Sequence, residues 1–223
     1  MEIKSTQSLH SDQVKMLVYG QSGIGKTSLM GTMPESETLI VSAESGLLCL
    51  ADKNIDVAEV KSYDAVRAAY AYLSKNEDGG KYKYVAIDSL TEISDLIVKS
   101  LKSKDEYKNP SNVLKMWGEF NDTMIGLIKA FRDLPRHVIF SALADDVNDG
   151  GIITRHPLIS GNKAQKLLSS FFDEVFYLTI NQEGEREIHT QPTHQFIAKD
   201  RSGKLATTEA PNLTDIINKI QGK

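Results

Sequence analysis

Residues 14–28 read VKMLVYGQSGIGKTS, an apolar run followed by three glycines, a lysine, a threonine and a serine. The run VKMLVY at 14–19 suits a strand buried on both faces of a sheet. A helix should open near Gly25 and stop at Pro34, because proline cannot continue an α-helix. Between the two, Gly20, Gly25, Lys26 and Thr27 fit the spacing G-x-x-x-x-G-K-[ST]. Glycines there let the loop curl so closely that successive backbone N–H groups point inward at phosphate oxygens. The helix behind adds the positive end of its dipole. Lys26 can then reach the β- and γ-phosphates as a point charge, and Thr27 can offer its hydroxyl to Mg²⁺. The expected cradle is Gly20, Gln21, Ser22, Gly23, Ile24, Gly25, Lys26, Thr27 and Ser28, with ATP and Mg²⁺ as cofactors.

Around this loop lies a chain of 223 residues, 40% hydrophobic and 25% charged, which is enough for one α/β domain with a full core. The net charge of −4 is mild, so contact with an anionic polymer must come from a local patch. The single cysteine, Cys49, lies in the apolar run GLLCLA and is expected to be a buried, inert thiol in a reducing compartment. No apolar run reaches the length of a membrane span, and MEIKSTQSLHSD lacks the apolar core of a signal peptide. The expected setting is soluble and cytoplasmic, with no membrane partner.

Further strands are expected at 38–43 (TLIVSA), 55–60 (IDVAEV), 83–88 (KYVAID) and 137–143 (HVIFSAL). Helical periodicity marks 63–75, 90–101 and 113–131, with a break at Gly79 and Gly80. Strands alternating with helices predict a doubly wound, mostly parallel sheet. Residues 144–162, ADDVNDGGIITRHPLISGN, read as a long mobile loop. A helix at 163–172 follows, then strands EVFYLTI and REIHTQ about a turn at 181–184, and a strand HQFIAK. These strands are expected to extend the same sheet in antiparallel fashion. Residues 1–12 read as a loose lead-in and 206–223 as a C-terminal segment with a helix from Leu213, all within one domain over 1–223.

The second metal element should be an acid ending a buried strand, and KYVAIDSL supplies Asp88. Many ATPases carry a catalytic glutamate directly after that aspartate, but Ser89 stands there. TLIVSAESGLL instead puts Glu44 just past its strand, at the edge where open α/β sheets form sites. A carboxylate there can orient and polarise a water in line with the γ-phosphate, with Glu92 the next candidate.

Taken in order, GQSGIGKT, SAES and AIDSL make the chain resemble the RecA family of recombination ATPases. It looks most like the small phage-encoded members that consist of the ATPase core alone. The likeness runs over about 14–205, through HVIFSAL, GNKAQKLLSSFFDEVFYL and FIAKDRSGKL. It implies a RecA-like P-loop NTPase fold and a DNA-dependent ATPase acting in phage recombination or single-strand annealing. It also implies assembly on single-stranded DNA as a homo-oligomeric ring or filament, with a single-strand-binding protein as a candidate partner. The family's polar sensor after the fourth core strand is usually glutamine or histidine, whereas Ser141, Ala142 and Leu143 stand here. The acid that often holds the adenine is replaced by Leu48, which leaves base preference open.

Lys199 and Arg201 in AKDRSGK match the family's interface strand, which implies that they reach a neighbour's ATP. Spaced two apart on an extended segment, they project to one side. No other arginine is evident near the loop at 20–28. Arg155, His156, Lys163 and Lys166 are the candidate DNA contacts, although Asp145, Asp146 and Asp149 make their segment only weakly basic. A P-loop kinase and a nucleotide-binding scaffold with negligible hydrolysis are the alternatives. Arg155 is the single arginine of the 144–162 segment, few for a kinase lid.

Overall fold

The computed structural model describes residues 13–44, 46–75 and 80–223. The lead-in 1–12 and the first glycine of the 79–80 break lie outside the described residues. The strands are β1 (Lys15–Gly20), β2 (Thr38–Ser42), β3 (Asp56–Glu59), β4 (Tyr84–Asp88), β5 (His137–Asp149) and β6 (Ile152–Leu158). They continue as β7 (Glu174–Ile180), β8 (Arg186–His189), β9 (Lys199–Asp200) and β10 (Thr208–Glu209). The helices are α1 (Lys26–Met30), α2 (Tyr63–Lys75), α3 (Leu90–Lys102), α4 (Val113–Arg132), α5 (Asn162–Leu167) and α6 (Leu213–Gln221).

All ten strands join one sheet in the order β10-β8-β7-β1-β5-β4-β2-β3, with β6 on β5 and β9 on β7. The six from β7 to β3 run parallel. Alternate residues of the central strands face opposite layers, as the pleat requires. Leu17, Tyr19, Val85, Ile87, Val138 and Phe140 pack with α2, α3 and α4. Met16, Val18, Ala86, Ile139 and Phe176 pack with Leu29 and Met30 of α1 and with α6. The mostly parallel sheet between two helical layers is the doubly wound architecture expected of the strand–helix alternation.

Four expectations change. Residues 144–162 are not a loop: β5 runs on to Asp149 and returns as β6 in an antiparallel hairpin. The reversal needs two left-handed residues, and Gly150 (φ 60°) and Gly151 (φ 94°) supply them. The first strand after the hairpin, β7, is parallel to β1 rather than antiparallel. Helix α5 and a 3₁₀ turn, Leu168–Phe171, carry the chain to the starting edge of β1, where Asp173 N–H donates to Lys15 O at 3.0 Å. Of HQFIAK, only Lys199 pairs as β9, which extends to Asp200. Cys49 is exposed, because its 3₁₀ turn, Leu47–Leu50, buries Leu50 instead.

Phe140 is fully buried, with its ring centroid 5.0 Å from that of Phe172. Phe140→Ala should destabilise the fold by about 3–5 kcal/mol, read as a lower midpoint in urea unfolding.

Candidate functional site

The loop 20–25 leaves the carboxyl end of β1, which lies between β7 and β5 in the parallel set. Gly23 (φ 75°) and Gly25 (φ 104°) both hold the left-handed region, which a side chain would resist. Gly20 cannot carry one either, since a β-carbon there would lie 2.6 Å from Leu178 O. The curl brings Lys26 over the loop, where its ammonium donates to Gly20 O (3.1 Å) and Gln21 O (2.9 Å). Lys26 is 8% exposed. Burial pulls its pKa below the ordinary lysine value, and the nearby Glu44 and Asp88 carboxylates oppose that shift.

Asp88 ends β4 and is almost fully buried. Its two oxygens are held separately: Thr27 Oγ1 donates to Oδ2 at 2.8 Å, and Ser141 Oγ donates to Oδ1 at 2.6 Å. Burial raises the Asp88 pKa, the two hydroxyls lower it, and Glu44 raises it further. The Asp88–Ser89 peptide is cis. Among the described residues, no group of three or more His, Cys, Asp or Glu side chains gathers to hold a metal. A hydroxyl beside one buried carboxylate is instead a hard-oxygen pair that fits Mg²⁺ shared with phosphate oxygens. Thr27 and Asp88 are the residues that would hold it.

Glu44 follows β2 at the same edge, with its N–H 3.4 Å from Asp88 O and its own carbonyl accepting from Ser42 Oγ at 2.7 Å. Its charge reaches Lys26, Asp88 and Glu92, so the glutamate shares their space. Glu92, in the first turn of α3, has its pKa raised by burial and then by Glu44 and Asp95.

With this geometry in view, a family comparison matches residues 12–202 to an AAA domain (AAA_24). The chain belongs to that AAA domain family. It is therefore a P-loop NTPase, and the family points to nucleotide binding and ATP hydrolysis. A comparison with curated proteins finds no match. No helix among the described residues is long and apolar enough to cross a membrane.

Of the other candidate residues in this AAA domain, Lys199 and Arg201 lie away from its P-loop. Lys199 pairs with Val175, level with Leu17, so it stands three residues, or roughly 10 Å, below Gly20. Lys199 Nζ donates to Ser169 O (2.8 Å), and Arg201 pairs with Asp173 (2.7 Å). Arg155 and His156 lie on β6 at the loop's own edge, where Arg155 Nε is 3.5 Å from Asp146 and His156 pairs with Asp145. Lys163 and Lys166 are exposed on α5.

Two residues escaped the sequence reading. Ser141 stands where a larger sensor was sought, and it turns out to grip Asp88 directly. Arg186 lies against the P-loop, and a β-carbon at Gly25 would stand 2.7 Å from its Nε. An arginine near the loop is therefore present, contrary to expectation. Its signal, REIH after the strand EVFYLTI and the turn NQEGE, carries no meaning until β7 is known to flank β1.

Beneath Lys199, Glu174 is buried beside Asp200, and its Oε2 is without a hydrogen-bond partner. Burial, with Asp200 adding to it, pushes the Glu174 pKa from 4.5 up to about 8. The folded state then holds a proton that the unfolded chain releases above about pH 4.5, so stability should fall as pH rises from there to about 8. Glu174→Gln should flatten that slope in a series of thermal-unfolding midpoints against pH.

Proposed function

We propose that this AAA domain is a RecA-like core ATPase that assembles on single-stranded DNA and acts in phage recombination or single-strand annealing. The observation that carries the ATPase part is the clasp of Asp88 by Thr27 and Ser141, with Lys26 and Glu44 around it at one sheet edge. Lys26 draws the charge of the β- and γ-phosphates, and Glu44 orients and polarises the attacking water. When bound, Mg²⁺ neutralises charge on the phosphate oxygens.

Assembly is supported by the placement of the basic residues. Lys199 and Arg201 lie toward the edge opposite the P-loop. Within one chain they cannot serve its own nucleotide, but head-to-tail stacking sets one edge of a subunit against the other edge of its neighbour. A cation delivered that way would make hydrolysis depend on assembly. The β5–β6 hairpin rises at the nucleotide edge with Arg155 and His156, and Lys163 and Lys166 follow it on α5. Those four are the residues proposed to meet DNA phosphates.

The test is phosphate release with and without single-stranded DNA. Stimulation is expected; release that needs a small phosphoryl acceptor instead would make the chain a kinase, and none at all a scaffold. Glu44→Gln should keep ATP binding and slow hydrolysis by roughly 10²-fold or more. Normal turnover in that variant would place the base elsewhere.

For the interface, Arg201→Ala should bind ATP yet hydrolyse it poorly. Mixed with Glu44→Gln, it should regain part of the activity, because some interfaces would pair an intact Glu44 with an intact Arg201. A mixture that stays inactive although both proteins assemble would leave Arg201 as a surface ion pair.

A further inference from the structure

Arg186 opens β8, in register with Ile180 at the end of β7. Because β7 runs parallel to β1, that end of the strand reaches the same edge as Gly20 and its loop. The turn between β7 and β8 is held by Asn181, whose Oδ1 accepts from the N–H groups of Glu183 (3.0 Å) and Glu185 (2.8 Å). Arg186 thus starts from a fixed point on the sheet. Its side chain lies across Gly25: a β-carbon there would stand 2.7 Å from Nε, 2.8 Å from Cζ and 3.2 Å from Cδ. Only a glycine at position 25 leaves room for the guanidinium to rest on the loop.

The charge of this group is unspent. The side chain is exposed and makes no hydrogen bond or ion pair among the described residues. Of the flanking acids, Glu187 lies 3.1 Å from His189 instead, and Glu185 is exposed. An uncompensated guanidinium beside inward-pointing N–H groups favours an anion, and its planar fork matches phosphate oxygens.

Which phosphate it faces follows from the sheet order. Asp88 at the end of β4 and Glu44 after β2 lie on one side of β1, whereas β7 and β8 lie on the other. The γ-phosphate belongs with the metal carboxylate and the water-orienting glutamate. Arg186 approaches from the opposite flank.

We propose that Arg186 binds the α- and β-phosphates of the nucleotide, gripping the diphosphate from the flank opposite Asp88. It is a ground-state binding residue, equally engaged with ATP and ADP. This proposal rests on the P-loop reading of the preceding subsection.

The test titrates Mg-ADP and Mg-ATP, by calorimetry, into the full chain and its Arg186→Ala, Arg186→Gln and Lys26→Ala variants. Steady-state hydrolysis is measured in parallel for the wild type and the two Arg186 variants. Arg186→Gln keeps the stem over Gly25 and removes the charge, so it decides the matter if the alanine variant unfolds. Both Arg186 variants should bind ADP and ATP more weakly by the same factor, roughly 10- to 100-fold, the scale of a hydrogen bond to a charged group. KM should rise by that factor while kcat at saturating ATP stays within about threefold, the mark of uniform binding. Unchanged ADP affinity in Arg186→Gln would overturn the proposal, leaving the side chain as packing over Gly25. A fall in kcat with ADP affinity intact would also overturn it, by moving Arg186 to the γ-phosphate. If Lys26→Ala binds both nucleotides as tightly as the wild type, the P-loop reading itself fails, a result distinct from either.

Discussion

The site depends on keeping one carboxylate in the interior. Asp88 is 1% exposed, and an unpaired charge at that depth would cost several kcal/mol of desolvation. Two hydroxyls from different elements offset the cost, Thr27 from the P-loop helix and Ser141 from β5. Each bond ties a separate part of the fold to β4. The Thr27 bond fixes the rotation of α1 and hence the position of Lys26. The Ser141 bond requires β5 to lie between β1 and β4, as the sheet order has it. The same carboxylate therefore registers the loop, the helix and the central strands against one another.

Charge around the site is distributed by strand position. Acids gather on the β4 and β2 side of β1, where the Glu44 charge acts on both Asp88 and Glu92. Arg186 occupies the other flank, over Gly25. A phosphate chain laid along the loop would thus meet a cation at one end and the carboxylates at the other. Lys199 and Arg201 stand apart from both, bound to Ser169 and Asp173 within their own chain. Any part they take in hydrolysis must exchange those partners for a neighbour's nucleotide.

The hairpin β5–β6 extends the sheet past the level at which β1 turns into the P-loop. Tyr19, the penultimate residue of β1, ties the hairpin down: its hydroxyl donates to Ile197 O (2.6 Å) and lies 3.0 Å from Arg155 O. Three segments, β1, β6 and the stretch that leads to Lys199, meet at this one side chain.

Local chemistry determined much of this in the sequence alone. The glycine spacing and Lys26 announce a phosphate loop, because only such residues permit the curl and supply the charge. The alternation of apolar runs with helical periodicity announces a doubly wound sheet, and Asp88 is legible as an acid closing a buried strand. Tertiary structure decided what depends on strand order and register, which no local pattern records. The pair Gly150 and Gly151 is a hairpin signal, but residues 144–162 became a strand pair only because β5 could continue past its neighbours. The parallel direction of β7 was settled by where α5 delivers the chain, and Cys49 was turned outward by which face of a short 3₁₀ turn meets α1. Ser141 and Arg186 are unremarkable letters until β5 sets one beside Asp88 and β7 carries the other to Gly25. Their roles arise from contacts between residues 53 and 161 positions apart, and such pairings are chosen by the packing of the whole sheet.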